Sequence, residues 1–147
     1  MDGPVSGDPD SPSTAHRIVN PESLPKPSGY SHAVAASPGR TIYVAGQTGH
    51  KEREDLPEDI VEQFDRAARN VVVALEAAGG KPRDLVSMQI FTTDLAVYLS
   101  KSKEIGAAYQ KHFSKHYPAT ALIEVKGLVG GAKVELMCTA VVPERTG

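Results

Sequence analysis

Hydrophobic positions along this chain fall into two spacings. Val134, Leu136, Cys138, Ala140 and Val142 alternate with Glu135, Met137, Thr139 and Val141, the period of two that marks a strand with unlike faces. Just upstream, Ala119 to Val125 is a shorter apolar run with Glu124 inside it, and Leu128-Val129-Gly130-Gly131 separates the two strands as a turn. Asp84 to Thr93 alternates in the same way. Ile60, Phe64, Ala67, Ala68, Val71, Leu75 and Ala78 instead recur every three or four residues, which predicts an amphipathic helix. Asp55 as cap, Pro57 in the first turn and the acidic Glu58 predict its start, and Gly79-Gly80 its end. A second helix is predicted over 95–115, with Tyr98, Ile105, Tyr109, His112 and Phe113 as its buried stripe and a weakly patterned middle at 100–103.

Toward the N-terminus, Ser31 to Ser37 and Arg40 to Gln47 read as strands joined by Pro38-Gly39, hence as an antiparallel hairpin. Gly46 inside the second of them predicts a bulge or a close approach to the backbone. His16 to Asn20 is a short candidate strand, and Pro21 to Gly29 carries prolines at 21, 25 and 27, so it must be extended or turned. Met1 to Ala15 has almost nothing apolar and is expected to be a disordered tail before a single domain at 16–143.

The element order is therefore β-β-β-α-β-α-β-β, an α+β two-layer sandwich with helices over one face of a mostly antiparallel sheet. The opposite face keeps apolar side chains, Tyr43 or Val44 and one side of the last strand. An uncovered apolar face is unusual in a monomer, so other copies of the chain are predicted to cover it.

Composition narrows the function classes. A length of 147 residues suits one domain with a proper core, and a formal charge of −2 with both signs interspersed argues against nucleic acid as partner. No apolar run approaches the ~20 residues of a membrane-spanning helix, and no secretory signal is visible, so the expectation is a cytoplasmic protein away from membranes. Cys138 is the single cysteine and reads as a core thiol. His112 and His116 have a zinc-compatible i, i+4 spacing, but no third ligand is suggested, and no metal is expected. Gly127 to Gly131 is a turn rather than a phosphate loop, because no lysine-serine or lysine-threonine pair follows. Glu124 and Glu135 sit in the most hydrophobic part of the chain. An unpaired buried carboxylate is costly, so each must face water or a site.

Five segments taken in order, NPESLPKPSGYSHAV, RTIYVAGQTG, QFDRAARNVVVALEAAGGKPRDLVSMQIFTTDL, AAYQKHF and YPATALIEVKGLVGGAKVELMCTAVV, resemble the RidA family, also called YjgF or endoribonuclease L-PSP. The resemblance runs from about Asn20 to Val142. It implies a chorismate-mutase-like fold assembled as a homotrimer, sheets forming an inner barrel, with a ligand cleft between each pair of neighbouring subunits. Deaminating members hydrolyse enamines and imines to 2-keto acids and ammonia without metal or organic cofactor.

Carried over by position, the resemblance makes Tyr30 the cleft tyrosine, Gly46 the glycine of a strand motif whose preceding serine is Ala45 here, and Glu135 the acid that positions or activates water. The family's substrate-carboxylate arginine falls at Thr120, its nearby cysteine at Leu122, and a frequent asparagine at Gly106. Arginine presents a planar fork of donors to a carboxylate, whereas threonine has one hydroxyl and no charge. The expected cleft, formed by Tyr30, Ala45, Gly46, Thr120 and Leu122 with Glu135 as acid-base group, therefore suits a small, less charged imine- or enamine-like metabolite. Two alternatives remain open. Lys126, Lys133 or another cation could replace the arginine in an active deaminase, or the cleft could bind without turnover. Ribonuclease activity, the family's older label, has no support in the charge pattern or in a histidine pair.

Overall fold

A computed structural model describes residues 13–52 and 55–144. Most of the expected tail, residues 1–12, lies outside the described residues. Six strands and three helices follow one another as β1 (Arg17–Val19), β2 (Ala33–Ala35), β3 (Gly39–Gln47), α1 (Ile60–Ala77), β4 (Leu85–Thr92), α2 (Leu95–Ser100), α3 (Ser102–Phe113), β5 (Ala119–Glu124) and β6 (Val134–Pro143). This is the α+β arrangement expected. The main sheet has the order β3-β6-β4-β5. β6 is antiparallel to both its neighbours, whereas β5 runs parallel to β4 because α2 and α3 carry the chain back across.

The expected hairpin does not form. β2 pairs with β1 in a separate two-stranded sheet, and β3 pairs with β6 from Gly39↔Pro143 to Gln47↔Leu136. Gly39 accounts for the difference. It belongs to β3, and a side chain there would collide with the Val142 carbonyl, so the glycine admits a neighbouring strand instead of turning a hairpin. His16 fixes the small sheet to the large one. Its Nδ1 accepts from the Ser37 N–H (3.0 Å) and its Nε2 donates to the Val141 carbonyl (2.7 Å).

α1 buries Ile60, Phe64, Ala67, Ala68, Val71 and Leu75 against the sheet, as its spacing predicts. Its cap is Asp59, which accepts from the Glu62 N–H, not Asp55, which instead pairs loosely with Arg66 at 3.6 Å. Ala78 lies just beyond the helix and is exposed. Gln63 was not anticipated in the core. It is 1 % exposed, with Nε2 donating to the Pro57 carbonyl (2.6 Å) and Oε1 accepting from the Lys133 N–H (2.8 Å), so it joins the start of α1 to the start of β6. The single second helix is in fact two, broken at Lys101. The Ser100 and Ser102 hydroxyls each donate to a carbonyl three residues back, at 2.6 Å, which competes with the helical ladder at that point.

Candidate functional site

The site is built on the edge strand β5 and the segment that docks on its start. Ser31 donates from its N–H to the Pro118 carbonyl (3.2 Å) and from its hydroxyl to the Tyr117 carbonyl (2.6 Å). The proline-rich segment before it is folded back by His32, whose ring donates to the Pro25 carbonyl at 2.7 Å and meets the Tyr30 ring edge-on at 5.3 Å. Tyr30 is thereby held beside β5. On β5 the parallel register sets Thr120 level with Met88 and Leu122 level with Ile90. Met88 and Ile90 are core residues, so Thr120 and Leu122 share the helix-covered face of the sheet.

Tyr30, Thr120 and Leu122 line a cavity of about 590 Å³ between that strand and α2–α3. Its other walls include Tyr98, Ile105, Gly106 and Tyr109, and none of the described residues lining it carries a charge. The Thr120 hydroxyl donates to the Pro118 carbonyl at 2.7 Å, which leaves only its lone pairs for a ligand. Helical spacing assigns Tyr98 and Tyr109 to the packed stripe. They are 8 % and 7 % exposed, yet they also face the cavity, a dual role that periodicity alone does not reveal. Burial pushes the Tyr98 phenol up to about 12 and raises that of Tyr109 further.

Glu135, Gly46 and Ala45 are elsewhere. Glu135 sits opposite Phe91 on the face of the sheet away from the helices, and its carboxylate lies against Gly46, where any side chain would collide with it. The pairing of β3 with β6 is irregular between Val44 and Gln47, so Gly46 is both a bulge and a close approach. One copy of the chain thus brings together Tyr30, Thr120 and Leu122, and separately Glu135, Gly46 and Ala45, with the sheet between the two groups.

Other titratable candidates have structural partners. Glu124 accepts from the Leu95 N–H at 2.9 Å and, with the Asp94 cap, satisfies the start of α2. His112 contacts Asp65 at 2.8 Å, and Lys111 pairs with the same carboxylate at 3.3 Å. Burial acts to raise the Asp65 carboxyl, but His112 and Lys111 together hold it below its ordinary value. His116 lies beyond the end of α3 and bonds the Leu85 carbonyl at 2.7 Å, so the two histidines do not share a helix face. Burial holds His116 below its ordinary value, the Leu85 hydrogen bond opposing it only in part. Among the described residues no group of three or more His, Cys, Asp or Glu side chains is placed to hold a metal. Cys138 is 2 % exposed, and burial pushes its thiol up to about 12, which makes it a core thiol and a poor nucleophile. No helix among the described residues is long and apolar enough to cross a membrane.

The class defined by these features is a two-layer α+β protein with an uncharged cleft at its parallel edge strand and a carboxylate on its bare face. Residues 22–142 match the endoribonuclease L-PSP family, and the chain belongs to that family, the RidA or YjgF family of the sequence reading. It is 30% identical over 130 residues to protein DfrA of Myxococcus xanthus, covering 86% of this chain and 96% of that one. It is also 30% identical over 132 residues to the 2-iminobutanoate/2-iminopropanoate deaminase of Capra hircus, covering 88% and 92%. Among solved structures, the Rid-family protein YyfB of Yersinia pestis superposes with a TM-score of 0.76 at 28% identity, covering 86% of this chain and 98% of that one.

Proposed function

We propose that this protein binds or transforms a small uncharged imine- or enamine-like metabolite in clefts completed by neighbouring copies of the chain, as a homotrimer. The observation that carries the reading is the uncharged wall around Thr120, the position of the family's substrate-carboxylate arginine. The Thr120 hydroxyl already donates to Pro118, so it has no donor left for a carboxylate. Lys133 offers no replacement within one chain, since its ammonium donates to the Glu58 carbonyl at 2.5 Å, at the start of α1. An anionic 2-imino acid would enter such a cleft without a counter-charge.

The placement of Glu135 supports the assembly. Glu135 and Gly46 lie on the bare face, and Tyr30 and Thr120 on the covered face at the sheet edge. Only a second copy, its bare face laid beside that edge, joins the two groups into one cleft. Glu135 then serves as general acid or base, or positions water, opposite the Thr120 wall. The names of the deaminase relatives favour a second reading, 2-imino acid hydrolysis with a cation supplied by the neighbouring copy.

The test is keto-acid and ammonia release from freshly generated 2-iminobutanoate by the full chain and by Thr120→Arg. A charged hydrogen bond contributes about 1.5–3 kcal/mol, roughly ten- to hundredfold. The wild type is expected to be nearly inactive and the variant to gain that factor. A wild type that turns the substrate over rapidly, with no gain in the variant, overturns the uncharged-ligand reading in favour of the second.

A further inference from the structure

Within one chain, before any neighbouring copy completes it, the cleft at Thr120 is already larger than a four-carbon imine needs. At about 590 Å³ it falls inside the roughly 300–1,000 Å³ range of sites that enclose drug-sized ligands. Four of the chain's five tyrosines line it, namely Tyr30, Tyr98, Tyr109 and Tyr117. Tyr109 and Tyr117 stack at 5.2 Å with ring planes 14° apart, and Gln110 donates to the Tyr117 hydroxyl, so that wall is already rigid.

One detail within the cavity has no structural explanation. Gly106 lies inside α3, where glycine is unfavourable relative to alanine, yet nothing lies within 4 Å of where its side chain would be. No neighbour forces a glycine there, and its visible consequence is a wider cavity. Tyr98 is 8 % exposed as a residue and lines the cavity, and its hydroxyl is not among the buried polar atoms left without a partner, so it opens toward the cavity, where a ligand can reach it.

We infer that the cleft is shaped for an uncharged ligand carrying a planar ring and one polar substituent, the ring lying in the space beside Gly106 and the substituent reaching the Tyr98 hydroxyl. This rests on the uncharged-ligand reading above and adds the ring. Aromatic side chains favour a planar ring by edge and face contacts. The free phenol can donate to a carbonyl or imine nitrogen, and the Thr120 lone pairs can accept an N–H.

Calorimetric titration of the full chain with benzamide, butanamide and benzoate separates the two ideas. Benzamide is expected to bind at least tenfold more tightly than either of the others. Gly106→Leu, which fills the space while improving helix propensity, is expected to abolish benzamide binding, and Tyr98→Phe to weaken it several-fold while leaving the fold intact by circular dichroism. Equal binding of benzamide and butanamide, both above benzoate, overturns the ring and leaves the uncharged reading standing. Benzoate binding as tightly as benzamide overturns the uncharged reading and this inference with it. No binding of benzamide, or full binding to Gly106→Leu, overturns the inference.

Discussion

Leu136 and Met137 are neighbours on β6, yet Leu136 is fully buried under the helices whereas Met137 is 39% exposed on the other side of the sheet. The same holds along β3, where Val44 is 4% exposed and Tyr43 is 81% exposed. Both faces carry apolar side chains, but only one is closed by the chain itself. The covered face needs shape-matched aliphatic residues, because its neighbours are fixed by α1. The bare face holds Tyr43, Met137 and the Glu135–Gly46 contact, a mixture suited to meeting a partner as well as water. One strand of alternating residues thus closes the core on one side and, on the proposed reading, offers a surface for assembly and chemistry on the other.

The comparison can be broken most directly at β6. Leu136→Ala should lower the unfolding free energy by about 2–5 kcal/mol, whereas Met137→Ala should change that of the separated subunit by no more than roughly 0.5 kcal/mol. Urea unfolding of both variants checks this, and equal losses would remove the distinction between the faces. Next in size, if the proposed trimer forms through the bare face, Tyr43→Glu combined with Met137→Glu is expected to convert it to single chains by sedimentation velocity with the circular dichroism spectrum retained. A variant that stays assembled would place the interface elsewhere.

Smaller effects sharpen how the covering layer is held. Asp59→Ala removes the cap of α1 and should cost about 1 kcal/mol, while Asp55→Ala, which loses only a half-exposed pair, should cost less than roughly 0.5 kcal/mol. Thermal melts of the two variants distinguish them. The smallest effect concerns pH. His116 is held below its unfolded value of 6.5 by burial, so the unfolded chain takes up the proton more readily. Its contribution to stability is present above about pH 6.5 and is lost as pH falls through the lowered folded value. Chemical denaturation between pH 7.5 and 5 should show this slope, and His116→Gln should flatten it. Asp65, whose carboxyl is lowered in the folded chain, acts only below its ordinary value of 3.8 and does not mask the effect.

Local pattern was enough for several features. The α1 stripe from Ile60 to Leu75, the alternation along β6, the burial of Cys138 and the bulge at Gly46 all follow from residue spacing and side-chain size, which act within a few residues of chain. The family followed from segments in order, and residues 22–142 bear it out. The expectation that Thr120 stands where the family carries its arginine rests on the same resemblance and is a matter for the Thr120→Arg test.

What the tertiary structure decided was pairing and enclosure. Pro38-Gly39 has the local chemistry of a hairpin turn, but strand partners are chosen by which backbone can approach, and Gly39 admits β6. The cap of α1 moved to Asp59 because local signals at Asp55 and Asp59 are nearly alike, and packing of Ile60 and Gln63 chose between them. Tyr98 and Gly106 are far in sequence from Thr120, and no periodicity could show that all three bound one cavity. The division of Tyr30 and Thr120 from Glu135 and Gly46 by the sheet was likewise invisible until the strand order was known. A residue's face is set by alternation along its own strand, but what lies across from that face depends on contacts between elements remote in the chain.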